Sequence, residues 1–180
     1  MENNIKKISL SDSKDLIYKS NTLARSKYDI TLIQARFIAF LSSFVDKDDE
    51  DFFTYQIQIK PVLDFLEIDR TNLKYLSNTL KQLQTTLICL QDDDEAEAYT
   101  TFLSFFKLDK KNELLEFRFD SSLKKHYVQL KNNFTTLEIA NYKKFESVFT
   151  IKIYEFIKSN FQLYKKYENS LFREFIIDTD

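Results

Sequence analysis

The chain has 180 residues, 43% hydrophobic and 30% charged, with 26 basic against 28 acidic side chains and a net charge of −2. That suits one domain with a substantial core and is too apolar for a disordered chain. The absence of glycine, with one Cys and one His, excludes glycine-dependent phosphate loops, the nucleophile elbow, the EF-hand, an internal disulfide, a thiolate–imidazole zinc site and a two-His nuclease.

Residues 1–20 are polar and mixed in charge, and read as a flexible N-terminal arm tightening near Leu16–Tyr18. Thr31 with Gln34 three positions on forms a capping box. It opens a helix through Val45 in which only Arg36, Ser42 and Ser43 interrupt the apolar run after Gln34, the pattern of a buried central helix. The acidic run Asp46–Asp51 reads as a solvated loop. Phe53, Tyr55, Ile57 and Ile59 then alternate as a strand. Pro61 sits in the first turn of a short helix with Val62, Leu63, Phe65 and Leu66 on its apolar face. Asp69 or Thr71 caps a second helix through about Thr85, so the pair predicts a helix-turn-helix.

Three strand-like runs follow, Thr86–Gln91, Tyr99–Leu108 and Leu114–Asp120, and short gaps predict an antiparallel meander. Ser121–Lys131 reads as helical. Thr135 or Thr136 reads as the cap of a short helix, with Glu138 nearby. Phe145–Phe161 is a longer helix, although Phe149, Ile151 and Ile153 also alternate like a strand. Leu171–Ile177 is a last strand candidate. Together these predict an α+β winged helix: a helix-turn-helix with an antiparallel β-wing and additional helices.

The charge is segregated. Residues 91–106 carry five acids and no base, whereas 107–167 carry 13 bases and 7 acids. On the second helix of the pair, Leu73, Leu76, Leu80 and Leu83 form one stripe. The opposite face carries Thr71, Lys74, Tyr75, Asn78, Lys81 and Gln82, with Arg70 at its edge. Cations for phosphates, with amides and hydroxyls for bases or sugars, are what a groove-facing helix presents. No acid occurs between Arg70 and Gln91, a span of 22 residues. A solvated face that merely lacks acids is the alternative. Lys107, Lys110 and Lys111 surround a hairpin tip, where a wing would touch phosphate or where lysines would serve solubility. Lys124–Lys125–His126–Tyr127 is a further basic cluster. His126 has no second ligand with which to share a metal, and Cys89 reads as a half-buried thiol.

Ser20–Asn21–Thr22–Leu23, then Asp29–Ile30–Thr31 and Arg36 in an apolar helix, resembles the opening of the iteron-binding plasmid replication initiators. Phe134–Thr135–Thr136–Leu137, followed by Lys144–Phe145–Glu146–Ser147 and then Ile153–Tyr154–Glu155–Phe156–Ile157–Lys158, resembles that family's second signature. Phe149 stands where the family usually has Tyr, Lys152 where it has Arg, and Ile30 where it has Leu.

The resemblance implies two winged-helix domains in tandem, of which 21–177 would be the first and 178–180 the start of a linker to a second. The chain is accordingly expected to be a fragment or a truncated product. It further implies a non-enzymatic, cytoplasmic bacterial protein without cofactor or membrane. Its partners would be double-stranded DNA carrying origin repeats, a second copy of the chain, and host helicase or initiator proteins. On the helix face read above, the DNA-binding residues would be Thr71, Lys74, Asn78, Lys81 and Gln82, with Arg70, Lys110 and Lys111 as phosphate contacts. A module used for dimerisation alone and a winged-helix transcriptional repressor are the rival readings.

Overall fold

The computed structural model describes residues 5–92 and 94–166. In chain order the first elements are β1 (Ile5–Lys7), β2 (Leu16–Ser20), α1 (Asn21–Arg25), α2 (Leu32–Ser42), β3 (Thr54–Gln58) and α3 (Ile59–Leu66). There follow α4 (Leu73–Thr85), β4 (Ile88–Asp92), β5 (Glu97–Thr100), β6 (Leu103–Asp109) and β7 (Leu114–Phe119). The last are α5 (Lys124–Tyr127), β8 (Phe134–Glu138), α6 (Ile139–Lys144) and α7 (Val148–Lys166).

The main sheet runs β1-β3-β7-β6, with β1 parallel to β3 and the other pairs antiparallel. Its strands alternate as the sequence predicts. Tyr55 and Ile57 of β3 and Leu115, Phe117 and Phe119 of β7 point into the core, and Tyr55 stacks on Phe117 at 5.2 Å. Each fully buried side chain of this kind contributes roughly 1.5–3 kcal/mol. The sheet and α2 share one hydrophobic core, and the α2 capping box forms as expected: Gln34 N–H donates to Thr31 Oγ1 at 3.4 Å, and Thr31 N–H to Gln34 Oε1 at 2.7 Å. The order α2-β3-α3-α4-β6-β7 is that of a winged helix, with the β4–β5 hairpin inserted after α4.

Several expectations are corrected. The flexible arm read over 1–20 is, in its described part, tied into two sheets: Ile5–Lys7 pairs with β3 and Leu16–Ser20 with β8. Burial of Ile8, Ile17 and Lys19 holds it there. The meander is split. Of the run Thr86–Gln91 only the part from Ile88 is strand, as β4, which pairs with β5 in a separate two-stranded sheet, and the run Tyr99–Leu108 breaks at Thr101–Phe102. Phe102 turns into the core there, edge-on to Tyr28 at 5.1 Å, and the chain leaves one sheet for the other. Ser121–Lys131 is helical only to Tyr127, because His126, Tyr127 and Val128 are all buried, a run that a one-sided helix cannot bury. Thr135 and Thr136 cap no helix. They lie in β8, where Thr135 and Leu137 face inward, and the helix follows at Ile139. Phe149–Ile153 is helical, opened by Ser147 Oγ, which accepts the Thr150 N–H at 3.1 Å. The strand candidate Leu171–Ile177 lies outside the described residues.

A chain without glycine must find other residues for left-handed backbone. Glu67, Glu113, Gln129 and Asn133 take φ between 53° and 57°, at a cost of about 1–2 kcal/mol for each of the three other than Asn133, whose short polar side chain tolerates this region. Glu67 ends α3 in this way, and Ile68 N–H donates back to the Leu63 carbonyl at 3.0 Å.

His126 proves structural. Its ring is 5% exposed and its Nδ1 lies 2.7 Å from Ser20 Oγ. Burial, with the Lys125 charge nearby, pushes its pKa from 6.5 down to about 4. The neutral ring is therefore the folded form, and the unfolded chain binds the extra proton below its ordinary pKa. Stability should be full above pH 6.5 and fall by about 1–2 kcal/mol as the pH drops toward 4. Urea midpoints across that window should lose this component in His126→Gln. An unchanged profile would show that the imidazole contributes nothing to it.

Candidate nucleic-acid interface

The helix-turn-helix is set by the apolar side of α4. Leu76, Leu80 and Leu83 are fully buried, and Leu73 is half-buried. That orientation leaves Lys74, Tyr75, Asn78, Lys81 and Gln82 exposed, the face read from the sequence. Lys74 and Lys81 lie seven residues apart, two turns of one face and about 10 Å along the axis. Gln82 is tethered, its Oε1 accepting from Gln34 Nε2 at 3.0 Å.

The start of the helix differs from the expectation. Asp69 caps a 3-10 turn over Arg70–Asn72, and Asn72 caps α4 itself, accepting the Tyr75 N–H at 3.3 Å. Thr71 therefore sits before the helix. Both its N–H and its hydroxyl donate to Asp69 Oδ1, at 2.8 and 2.6 Å, so that hydroxyl is already committed. Arg70 is committed too, its guanidinium donating to both carboxylate oxygens of Glu113. That pair, invisible in the local sequence, joins the start of α4 to the wing.

The wing is the β6–β7 hairpin, whose tip is held by Asp109. Its Oδ1 accepts the N–H groups of Lys111 and Asn112 at 3.1 and 3.0 Å, and its Oδ2 accepts Asn112 Nδ2 at 2.8 Å. Lys110 and Lys111 are exposed on that tip. Lys107 is instead held near Glu116 at 3.4 Å. The structure thus brings Arg70 to the wing tip that carries Lys110 and Lys111, with Lys74 about one turn further along α4. On the other side, the acidic β4–β5 hairpin with Asp94, Glu95 and Glu97 follows α4 directly and bounds its acid-free stretch.

The signature residues hold the scaffold. Ser20 Oγ caps α1 by accepting the Leu23 N–H at 3.1 Å. Arg36 donates to the carbonyls of Tyr142, Lys143 and Phe145 at 3.0–3.1 Å, closing the C-terminal end of α6. Lys19 of β2 and Glu155 of α7 form a buried ion pair at 2.8 Å, and Tyr142 adds a 2.6 Å hydrogen bond to the same carboxylate. Lys152, held by burial at a pKa of about 7, lies beside Glu155 in a small cavity and donates to the Ser26 carbonyl at 3.2 Å. Local periodicity gave no sign of this network. The acidic run Asp46–Asp51 is drawn into surface pairs, Asp46 with Lys14 and Asp51 with Lys124. Cys89 is half-buried in β4, as expected. Among the described residues no helix is long and apolar enough to cross a membrane.

A family model described as "Initiator Replication protein, WH1" matches residues 16–158, most of the chain, and that span includes both signature runs. Among solved structures, the chain is similar to the protein in "Crystal structure of Pi initiator protein in complex with iteron DNA", at 18% identity and a TM-score of 0.61. The match covers 83% of this chain and 65% of that one, so the chain spans a little under two thirds of that protein's length. No curated protein matches the chain by sequence.

Proposed function

For a chain that belongs to the initiator replication protein family, as its WH1 domain, we propose the role of a plasmid replication initiator's first winged-helix domain. It supplies auxiliary phosphate-backbone contacts to repeated origin DNA and also dimerises. The observation that carries this reading is the exposed, acid-free face of α4 beside a Lys-tipped wing. Lys74 and Lys81 are spaced about 10 Å apart, comparable to a major groove about 12 Å wide. Lys110 and Lys111 reach phosphate from the wing, and Asn78 lies between the two helix lysines to meet a base edge or sugar. Arg70 is an additional phosphate contact once its carboxylate partner is displaced, whereas Thr71 and Gln82 face the duplex while tied to Asp69 and Gln34. No step of this role needs catalysis or a cofactor.

Dimerisation has its own support. In the β4–β5 region Leu87 and Tyr99 are 59% and 48% exposed, and β6 is an edge of the main sheet. Apolar edges of this kind pair readily across a two-fold axis. Light-scattering mass across a dilution series, with and without a labelled duplex carrying the origin repeat, tests both roles. The expected result is a dimer that dissociates on dilution, with monomer taken up by the duplex at low salt. With four lysine contacts, log affinity should fall by about 3.6 per log unit of salt, at 0.9 per contact. A dimer that ignores the duplex at every salt concentration would reduce the chain to an assembly module.

A further inference from the structure

The pair between Arg70 and Glu113 is placed where it does little for stability. Its side chains are 66% and 45% exposed, and an ion pair so open to water contributes little to stability. Glu113 nevertheless occupies a left-handed backbone position at φ 54°, which is uncommon for a residue other than glycine. Its carrier is well anchored, since the Glu113 carbonyl accepts the Ile59 N–H at 2.8 Å and so fixes the wing tip against the start of α3.

The neighbouring acids are otherwise employed. Asp69 accepts from Thr71. Asp109 accepts from the amides of its own turn. Glu116 accepts from Gln56 and Lys107. Both oxygens of the Glu113 carboxylate, by contrast, accept from a single nitrogen, Arg70 Nη2. Guanidinium N–H groups donate to carboxylate and phosphate oxygens alike, so either anion can occupy this position.

We propose that Glu113 is a built-in competitor for DNA phosphate: its carboxylate pairs with the Arg70 guanidinium in the free protein and is exchanged for a backbone phosphate when a duplex docks against α4 and the wing. This deepens the DNA-binding reading above and rests on it. The exchange keeps Arg70 neutralised until a phosphate arrives with the right geometry. It lowers affinity for duplexes at large, and it sets the end of α4 nearest the wing against the Lys74–Lys81 face, which meets no such counter-ion among the described residues.

The test is a double-mutant cycle read by anisotropy with a labelled mixed-sequence duplex, titrated with salt. Glu113→Gln should tighten binding about three- to tenfold at low salt and steepen the salt slope by about 0.9, because no displaced carboxylate then takes up a cation to offset the counter-ion that the Arg70 contact releases. In an Arg70→Ala background the same Glu113→Gln change should alter neither affinity nor slope. Glu116→Gln, which removes a wing charge that does not face Arg70, controls for charge alone. Equal tightening in both Arg70 backgrounds would overturn the exchange in favour of long-range repulsion, and weaker binding by Glu113→Gln would show that the pair only positions the wing. If Lys74→Glu with Lys81→Glu abolishes binding while Glu113→Gln is silent, the exchange alone falls. If the wild-type chain takes up no duplex at any salt concentration, the DNA reading falls and the exchange with it.

Discussion

Glu155→Gln is expected to cost about 3–5 kcal/mol of folding stability, the range for breaking a buried ion pair from one side. Lys19 and Glu155 are 5% and 2% exposed and meet at 2.8 Å, so removing the carboxylate strands a charged ammonium away from water. Burial by itself would lower the pKa of Lys19, but the adjacent carboxylate outweighs it and holds the ammonium form above its ordinary value. Two hydroxyls share the acceptor: Tyr142 donates to Glu155 at 2.6 Å, and Tyr28 at 3.5 Å. Glutamine keeps the shape and loses the charge, which makes the loss attributable to the pair rather than to a cavity. Urea unfolding should show the midpoint falling with the slope unchanged. Lys19→Met combined with Glu155→Leu should recover part of the loss, because removing both charges also removes their desolvation cost. Recovery should stop about 1–3 kcal/mol short, since Tyr142 is left without its acceptor. A Glu155→Gln midpoint indistinguishable from wild type would show that water reaches the pair and that its burial contributes nothing.

The consequence for the fold is architectural. Lys19 lies on β2, Tyr142 on α6 and Glu155 on α7, so a single carboxylate joins the two ends of the domain. Arg25 extends the seam by donating to Ser159 Oγ and to its carbonyl at 3.1 and 2.9 Å. Glu155 of the second signature and residues flanking the first, Lys19 and Arg25, therefore meet at the seating of α7, some distance in sequence from the lysines that would meet DNA.

What could be read from the sequence was what depends on local pattern. Strands β3 and β7 each have one wet face, and their period-two alternation survives folding. Helix α2 is apolar nearly all round because it is central, and α4 keeps a clean Leu stripe because only one side packs. Hence the face with Lys74, Asn78 and Lys81 was legible. Long-range pairs were not. Lys19 and Glu155 are 136 residues apart, and Arg70 and Glu113 are 43 apart, so no window shows either partnership. Misplaced boundaries have a different cause. Thr135 and Thr136 belong to residue types favoured both as caps and in strands, and pairing with β2 decided between them. Without glycine, the left-handed turns at Glu67, Glu113 and Gln129 carried no mark at all, and only Asn133 is of a type that favours one.

Reversing Lys74 and Lys81 together to Glu should weaken duplex binding on the order of a hundredfold or more at low salt, the largest functional effect expected of any two positions here. Both are exposed on the side of α4 opposite its buried leucines, and among the described residues neither ammonium meets a carboxylate. The fold should not notice, since surface substitutions away from packing or paired charge usually stay within about 0.5 kcal/mol. An unfolding midpoint close to wild type thus separates lost contacts from lost structure. Charge reversal adds repulsion to the loss of contact, so the neutral pair Lys74→Gln and Lys81→Gln is the cleaner measure of contact number. It should flatten the salt slope by about 1.8, two contacts at 0.9 each, and weaken all duplex sequences alike. Asn78→Ala should behave differently, narrowing the gap between origin-repeat and mixed-sequence duplexes with little change in slope, as expected of a residue that meets a base rather than a phosphate. Affinity unchanged by the Lys74 and Lys81 reversal would move the DNA contacts off α4 altogether. The edges around β4–β6 would then remain as the functional surface of the domain.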